Sequence, residues 1–325
     1  MKTLKHTLVA AGLFMAASLM FAACSNQQKE QIRVIEINYQ KDLIPEGIAV
    51  HPETGDIFLS SLHLKKIVKA GNEGQNAEDL IETGRYGFRS GVGMDVVNDK
   101  LFAISSSMED HRGKSPVLVL NPHDGRLMKS FTYQDTARHF LNDLAVSSDE
   151  RIFITDSDNH RVFKINDAGE FEVLVESEEI AWPNGITISG DDARLYIASW
   201  LYGIRVYDLV LRQFLNDRDT TGLTNAIDGM RYYNNTIVAV QNGFSDSTRH
   251  AVVQYFLSDN GNRIAGADTL AIHHPKMNVP TTLDIVNGQV YVIANSQLHN
   301  INQPENKIID PALLEPTYIL KIDLK

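Results

Sequence analysis

The sequence predicts an all-β protein, a six-bladed β-propeller with four-stranded blades around a central tunnel. A short segment recurs six times in the 325 residues, about every 47 residues, with steps of 46, 50, 42, 44 and 53. A period of this size is typical of radial or solenoid repeats. Hydrophobic residues make up 43% of the chain and charged residues 22%, an ordinary globular composition. Six similar β units favour one radially closed domain over an irregular β-sandwich, the main structural alternative.

The repeated segment opens the predicted first strand of each blade, and we call its first residue the lead position. The lead positions are Glu46, Val92, Asn142, Asn184, Asp228 and Thr281. If the six repeats surround one axis, these side chains converge on one place. Four of them are carboxylates or carboxamides.

The other strands follow from turn residues and apolar runs. Asn287-Gly288, a hairpin turn signal, separates the last lead segment from the second strand of its blade. Third strands follow, and the fourth strands are weaker, clearest at 127–131 and 171–175. The segments 33–38 and 318–324 resemble strands at the two ends of the domain. We expect them to share one blade, which would cover otherwise exposed sheet edges.

The direction of the strands predicts where a binding mouth lies. A four-stranded meander reverses at every turn, so the connections between second and third strands share a face with the lead positions. Three of these connections read as long: 105–115, 241–250 and 295–316. Long loops gathered on a rigid scaffold usually serve binding.

The N-terminus predicts export and attachment to a membrane. Lys2 and Lys5 precede an apolar run at 7–23, and Phe21-Ala22-Ala23-Cys24 resembles a bacterial lipobox. We expect a lipoprotein signal peptide at 1–23, a lipidated Cys24 with a polar tether at 24–31, and the propeller at 32–325. The protein would then lie in the bacterial cell envelope, on the periplasmic or outer-membrane side. An ordinary secretory signal or an anchoring helix is the alternative.

The net charge of −11 argues against one class of partner. An acidic chain without a basic run repels phosphate backbones, so we expect no nucleic-acid partner.

The lead residues Glu46, Asn142, Asn184 and Asp228 predict a metal site. They offer only oxygen ligands, which suit a hard cation, Ca²⁺ above Mg²⁺ or Mn²⁺. Four side chains leave coordination positions open, as a catalytic metal requires. Each residue also has a purely structural interpretation, because Asn-Gly and Asp-Gly are common turn signals and Glu46 could cap a loop. Their shared position in the repeat favours the metal site.

Several segments resemble one known family. They are Pro45-Glu46-Gly47-Ile48, Leu141-Asn142-Asp143-Leu144, Pro183-Asn184-Gly185-Ile186 and Asp228-Gly229-Met230. They are similar to those of the calcium-dependent propellers that include the senescence-marker-protein/gluconolactonase family, diisopropyl-fluorophosphatase and the paraoxonases. The resemblance implies a Ca²⁺ in the tunnel, held by Glu46, Asn142, Asn184 and Asp228, and a second, structural ion near Asp143. Unlike the paraoxonases, the second lead segment contains no histidine.

The resemblance and the ligand set together predict a Ca²⁺-dependent hydrolase of the lactonase or esterase type, acting on a small lactone or ester. The metal would polarise a carbonyl or phosphoryl oxygen, and the resemblance implies Asp228 as general base or nucleophile. The alternative is a non-catalytic, envelope-anchored propeller that binds a carbohydrate, peptide or protein partner.

Four residues of the mouth loops are candidates for lining the substrate site. They are His111, Trp200, Tyr202 and Asn295. His111 could assist proton transfer, although a solvated loop histidine would look the same in sequence. The aromatic residues could stack on a ring or line an acyl pocket, or they could pack between blades.

Overall fold

The computed structural model of the chain describes residues 32–243, 246–302 and 305–324. They confirm the predicted fold, because they form six four-stranded antiparallel sheets in a ring. The signal peptide, Cys24 and tether predicted for residues 1–31 lie outside the described residues.

The strands of the first five blades follow the chain, after an opening strand at Arg33–Ile37 (β1). Blade 1 contains Pro45–Val50, Ile57–Ser61, Ile67–Ala70 and Glu78–Ile81 (β2–β5). Blade 2 contains Ser90–Val97, Lys100–Ser106, Gly113–Leu120 and Leu127–Asp135 (β6–β9). Blade 3 contains Leu141–Val146, Ile152–Asp156, Arg161–Ile165 and Phe171–Glu176 (β10–β13). Blade 4 contains Pro183–Ile188, Arg194–Ser199, Gly203–Asp208 and Gln213–Phe214 (β14–β17). Blade 5 contains Ile227–Tyr233, Thr236–Gly243, Asp246–Leu257 and Ile264–Ile272 (β18–β21).

Blade 6 joins the two ends of the domain. Its inner strands are Leu283–Val286 and Gln289–Ile293 (β22, β23). A loop carrying the short pair Ile301–Asn302 and Lys307–Ile308 (β24, β25) leads to Thr317–Asp323 (β26). Strand β1 pairs antiparallel with β26, which confirms the predicted closure by the terminal strands.

The helices of the described residues are single 3₁₀ turns. They lie at Lys41–Leu43, Arg85–Gly87, Ser157–Asn159, Glu178–Ile180, Leu298–Asn300 and Pro311–Leu313. In this part of the chain, no helix has the length and apolar character needed to cross a membrane.

The innermost strands form a closed ring around the axis. Each contacts the innermost strands of both neighbouring blades, and β22 contacts β2 to complete the circle. Apolar side chains fill the wedges between blades. Between blades 4 and 5, for example, Tyr196, Ile237 and Tyr255 belong to one buried cluster. Burying such apolar area, worth roughly 25 cal/mol per Å², holds neighbouring blades together.

A β-bulge at the start of five innermost strands positions the lead residues. In blades 1 to 5 the pairing with the second strand shifts register across the lead residue and the residue after it. A bulge redirects side chains and leaves residues outside the ladder. The side chain of the lead residue therefore need not follow the regular alternation of side chains between the two faces of the sheet.

The glycine after the lead residue is required by the neighbouring blade. A Cβ on Gly47 would lie 2.0 Å from the carbonyl oxygen of Val92, and one on Gly185 would lie 2.4 Å from that of Asp228. These contacts are far inside van der Waals distance, so backbones of adjacent blades approach where only glycine fits. The glycine therefore reflects propeller packing, whereas packing does not specify the polar lead residue before it.

The mouth loops are partly shorter than the sequence predicted. The expected connection at 241–250 is largely strand, because β19 extends to Gly243 and β20 begins at Asp246, opposite it. The expected loop at 105–115 reduces to residues 107–112 between β7 and β8. The pairing of β19 with β20 continues to Gly243 and Asp246, whereas residues 113–115 pair with β9 and not with β7. The connection before β26 is long, as expected.

Candidate functional site

The lead residues Glu46, Asn184 and Asp228 are neighbours at one end of the tunnel. Asn184 donates a side-chain hydrogen bond to the Asp228 carboxylate, and the charge of Asp228 acts on Glu46. Asn142 is buried beside them, and the charge of its neighbour Asp143 acts on both carboxylates. The structure therefore brings together oxygen donors from blades 1, 4 and 5, and Asn142 of blade 3 begins its strand at the same end of the tunnel. We call Glu46, Asn142, Asn184 and Asp228 the tunnel ring.

Glu46 is the least satisfied member of the tunnel ring. Its side chain is only 7% exposed, and its Oε2 is buried without a hydrogen-bond partner. Burial, together with the negative charges of Asp228 and Asp143, raises the pKa of Glu46 well above its ordinary value. A buried carboxylate oxygen without a donor is costly unless a proton or a cation approaches it.

Asp228 is held from one side by Asn242, whose Nδ2 donates to Asp228 Oδ2 at 2.6 Å and to the carbonyl oxygen of Pro280 at 2.8 Å. Burial raises the pKa of Asp228 to about 7, although hydrogen bonds from Asn242 and Asn184 oppose the shift. Within the described ranges, no lysine, arginine or histidine forms an ion pair with Asp228 or Glu46. Sequence reasoning missed Asn242, since it lies at the end of a second strand, outside the repeated segment.

The raised pKa of Asp228 predicts how the metal-free protein responds to pH. The unfolded carboxyl ionises near pH 4 and the folded one near pH 7, so only the folded state keeps the proton between these values. Stability is therefore full below about pH 4 and declines as the pH rises to about 7, by on the order of 2 kcal/mol between pH 5.5 and 7. In chelator, we expect this decline in thermal unfolding temperature for the wild type and a smaller one for Asp228→Asn. If the unfolding temperatures of the two proteins fell equally with pH, the raised pKa of Asp228 would be contradicted.

The donors of the tunnel ring fit a hard divalent cation. Two carboxylates and two carboxamides supply oxygen ligands, and the two negative charges would balance one divalent ion. The unpartnered Glu46 Oε2 is an acceptor that such an ion would satisfy. The lead positions of blades 2 and 6 do not add to this set. Val92 packs in an apolar cluster, and Thr281 donates its hydroxyl to the carbonyl oxygen of Glu46 at 3.0 Å.

A second buried polar cluster uses the fourth position of the repeated segment. Arg231 lies between carboxylates, with Nη1 3.6 Å from Asp143 and Nε 3.8 Å from Asp284. It also donates from Nη2 to the carbonyl oxygen of Met94 at 2.6 Å. Arg231 and Asp284 line a pocket of about 300 Å³ together with Asp95. Burial raises the pKa of Asp95 to about 7, while the charge of Arg231 opposes this.

Asp143, which the resemblance associates with a second ion, faces this guanidinium. Its Oδ2 also accepts the backbone N–H of Ile186 at 3.2 Å. Arg231 therefore supplies the positive charge next to Asp143. The sequence signal for the cluster was a charged residue where other repeats have alanine or threonine, as at Ala49, Ala145 and Thr187.

The aromatic candidates lie beside the tunnel ring on blade 4. The backbone N–H of Trp200 bonds to the carbonyl oxygen of Trp182, two residues before Asn184. The ring of Tyr202 is half-buried, and the guanidinium of Arg218 covers it at 4.0 Å. Trp182, which the sequence analysis did not single out, has 51% of its surface exposed.

Asn295, expected to line the substrate site, instead supports the framework of its own loop. It is completely buried. Its Nδ2 donates to the carbonyl oxygen of Pro316 at 2.9 Å, and its Oδ1 accepts the backbone N–H of Tyr318 at 2.6 Å. Both ends of the amide are thus committed to the backbone, which leaves no group for a ligand.

His111 has a partner that sequence reasoning missed. Its Nδ1 lies 2.8 Å from Oδ2 of Asp158, in the corresponding loop of blade 3. The two residues are 47 positions apart, which is the mean length of one repeat. That spacing is the signal that could have revealed the pair.

Another histidine–aspartate group lies at the opposite end of the propeller. His51, Asp99 and His123 bring three potential metal-binding atoms within 4.8 Å of one another. However, His51 Nδ1 accepts the backbone N–H groups of Glu53 and Thr54, at 3.2 and 3.3 Å. Its Nε2 therefore carries the hydrogen that it donates to Asp99 at 2.8 Å. This tautomer has no free nitrogen for a metal, so the group is a hydrogen-bonded one.

Comparisons with known proteins support the fold more than the activity. The family model for the NHL repeat matches residues 139–165, which include the first three strands of blade 3. No curated protein matches the chain significantly.

Solved structures similar to this chain carry different chemistries. A gluconolactonase from Xanthomonas campestris has a TM-score of 0.61 at 14% identity, covering 90% of this chain and 89% of its own. A PQQ-bound aldose sugar dehydrogenase from Streptomyces coelicolor has a TM-score of 0.60 at 11% identity, covering 90% and 98%. A virginiamycin B lyase from Staphylococcus aureus has a TM-score of 0.56 at 12% identity, covering 91% and 99%. These likenesses establish the propeller fold, which hosts more than one reaction.

Proposed function

We propose that this protein is a Ca²⁺-dependent hydrolase of the lactonase or esterase type, acting on a small lactone or ester. One observation carries the proposal. Two buried carboxylates, Glu46 and Asp228, lie close enough for the charge of one to act on the other, Asn184 bonds to Asp228, and neither carboxylate has a cationic partner among the described residues. Such a group is costly as a purely structural element. A hard divalent ion, with Ca²⁺ preferred, would satisfy it.

The residues of the tunnel ring would hold the ion, and Asp228 would carry the chemistry. When bound, the ion would supply Lewis-acid polarisation of the substrate carbonyl oxygen. Cation binding beside Asp228 would lower its pKa from about 7, which keeps the carboxylate ionised at neutral pH. Asn242 fixes Oδ2 by its hydrogen bond, and Asp228 would then accept a proton from the attacking water or attack the carbonyl carbon itself.

Metal analysis combined with a substrate panel tests this proposal. The purified protein should contain or take up one Ca²⁺ per chain, and it should hydrolyse at least one lactone or ester. Chelation should abolish the activity, and added Ca²⁺ should restore it. If neither lactones, esters nor phosphotriesters are hydrolysed with Ca²⁺ present, the non-catalytic binding propeller replaces the enzyme.

We further propose that Cys24 is lipidated and anchors the protein in the bacterial cell envelope. The support is the lipobox-like Phe21-Ala22-Ala23-Cys24, which contains the single cysteine of the chain. The wild type should therefore partition into the detergent phase of a cell extract. Cys24→Ser should move to the aqueous phase or remain unprocessed. Equal partitioning of the two proteins would refute the anchor.

A further inference from the structure

We infer that His111, held by Asp158, is a second catalytic residue that protonates the leaving alcohol oxygen. This inference rests on the proposed hydrolase function and adds a second proton-transfer group to it. The observation behind it is a histidine–aspartate pair at the same end of the propeller as the tunnel ring.

The position of the pair follows from the topology. His111 lies between β7 and β8, and Asp158 lies between β11 and β12, so both loops are at the end where the lead residues begin their strands. Asp158 directly follows Ser157, whose Oγ accepts the side-chain N–H of Asn142 at 3.0 Å. The pair is thus one residue away from a group that touches the tunnel ring.

The geometry assigns the proton on each ring nitrogen. His111 Nδ1 lies 2.8 Å from a carboxylate oxygen of Asp158, and that oxygen can only accept. Nδ1 therefore keeps its hydrogen, and Nε2 is the atom that gains or loses a proton. Among the described residues, no hydrogen bond to Nε2 is present, so it is available to a substrate.

The surroundings fix the ring in this orientation. His111 stacks on Phe140, with ring centroids 4.7 Å apart, and its carbonyl oxygen accepts the backbone N–H of His139 at 2.8 Å. Its φ of 54° is left-handed, a conformation that costs energy for a residue other than glycine.

The charged groups around the pair are Asp158, Arg138 and His139. Arg138 Nη2 lies 3.0 Å from His111 Nδ1 and 3.4 Å from Asp158 Oδ2. When Nδ1 carries the hydrogen that bonds Asp158, it cannot accept from Arg138, and Arg138 is left to donate to Asp158. Burial alone would raise the pKa of Asp158, but the hydrogen bond from His111 and the nearby positive charges hold it below its ordinary value. Asp158 therefore stays ionised and acts as the positioning residue for His111.

The proposed step balances with the chemistry of Asp228. The oxygen of water forms a bond to the carbonyl carbon, and Asp228 takes the proton of that water. The bond from carbon to the alcohol oxygen then breaks, and Nε2–H of the protonated His111 gives its proton to that oxygen. Exchange with solvent returns Asp228 and His111 to their starting states. In a lactone, the released alcohol stays attached as the opened chain.

The test compares leaving groups in His111→Gln. An alkoxide leaving group needs the proton, so kcat for a lactone or alkyl ester should fall by about 10²- to 10³-fold. A p-nitrophenyl ester, whose leaving group departs as a stable anion, should change less than about 3-fold. In Asp158→Asn, kcat for the lactone or alkyl ester should also fall more than kcat for the p-nitrophenyl ester, but the loss should be smaller. Ca²⁺ content and thermal unfolding should match the wild type in both variants.

His123→Gln is the matched control, because His123 pairs with Asp99 at 3.1 Å at the opposite end of the propeller. It should leave both substrates unaffected. Equal losses for lactone and p-nitrophenyl ester in His111→Gln, or no loss, would overturn the inference. A wild type that hydrolyses neither substrate would instead refute the proposed function itself.

Discussion

Replacing Asp228 by asparagine is expected to lower kcat/KM for lactone or ester hydrolysis by about 10³-fold, while the protein remains folded. Asparagine preserves the shape and can still accept the hydrogen bond that Asn242 donates to Oδ2. It removes the ability to accept a proton or to attack as a carboxylate, together with one of the two negative charges that would balance the ion. Steady-state kinetics at saturating Ca²⁺ measures the effect independently of weaker metal binding.

The control for this variant is Asp167→Asn, which makes the same charge change at an exposed turn. It should have wild-type kinetics. Asp228→Asn also removes a carboxyl with a pKa of about 7. As the pH rises above 5.5, the metal-free variant should therefore lose less stability than the metal-free wild type. An active Asp228→Asn with bound Ca²⁺ would exclude this residue as base or nucleophile.

Replacing Glu46 by glutamine is expected to weaken Ca²⁺ binding by about 100-fold. The charge and number of ligands set the affinity of oxygen sites for Ca²⁺, and this change removes one of two negative charges. At a fixed concentration of Ca²⁺, the gain in free energy of unfolding from Ca²⁺ binding should be smaller in the variant, by up to about 2.7 kcal/mol. Thermal unfolding with and without Ca²⁺ measures the difference.

The same variant has an opposite effect on the metal-free protein. Burial and two neighbouring negative charges disfavour the ionised form of Glu46, so a neutral glutamine should raise stability above pH 7. Glu172→Gln, on the exposed face of blade 3, controls for the change in net charge. A Glu46→Gln protein that binds Ca²⁺ as tightly as the wild type would show that the ion lies elsewhere.

The fold was readable from the sequence because a propeller repeats its physical constraints. Four of the six repeats have a glycine after the lead residue, where adjacent backbones approach, and an apolar residue follows it, so the period appears directly in the residues. Gly47 and Gly185 illustrate this, since any side chain there would collide with the next blade. The same period placed Glu46, Asn184 and Asp228 together before any contact was known.

Other parts of the site were not readable, since they depend on loop geometry. Asn295 begins a loop after a second strand, a position typical of a residue that lines the binding mouth. Only the later course of that loop brings the carbonyl oxygen of Pro316 within hydrogen-bond distance of its side chain. The 47-residue spacing of His111 and Asp158 relates equivalent loops of two blades, but only the paths of these loops bring the two side chains to 2.8 Å. Arg231 occupies a strand position that carries Asp95 and Asp284 in two other blades and a small residue in the remaining three, and only the packing of the blades decides which carboxylates it meets.

Calorimetric titration of Ca²⁺ into the metal-free protein at pH 7, in two buffers of different ionisation enthalpy, tests the central claim most directly. Asp228 is about half protonated at this pH, and burial together with the charges of Asp228 and Asp143 raises the pKa of Glu46 well above its ordinary value. A cation that binds between them must displace protons. We predict one site per chain and a net release of protons on Ca²⁺ binding, to which Asp228 contributes about half a proton per ion. Absence of saturable binding, or binding without proton release, would contradict a divalent ion held by these two carboxylates.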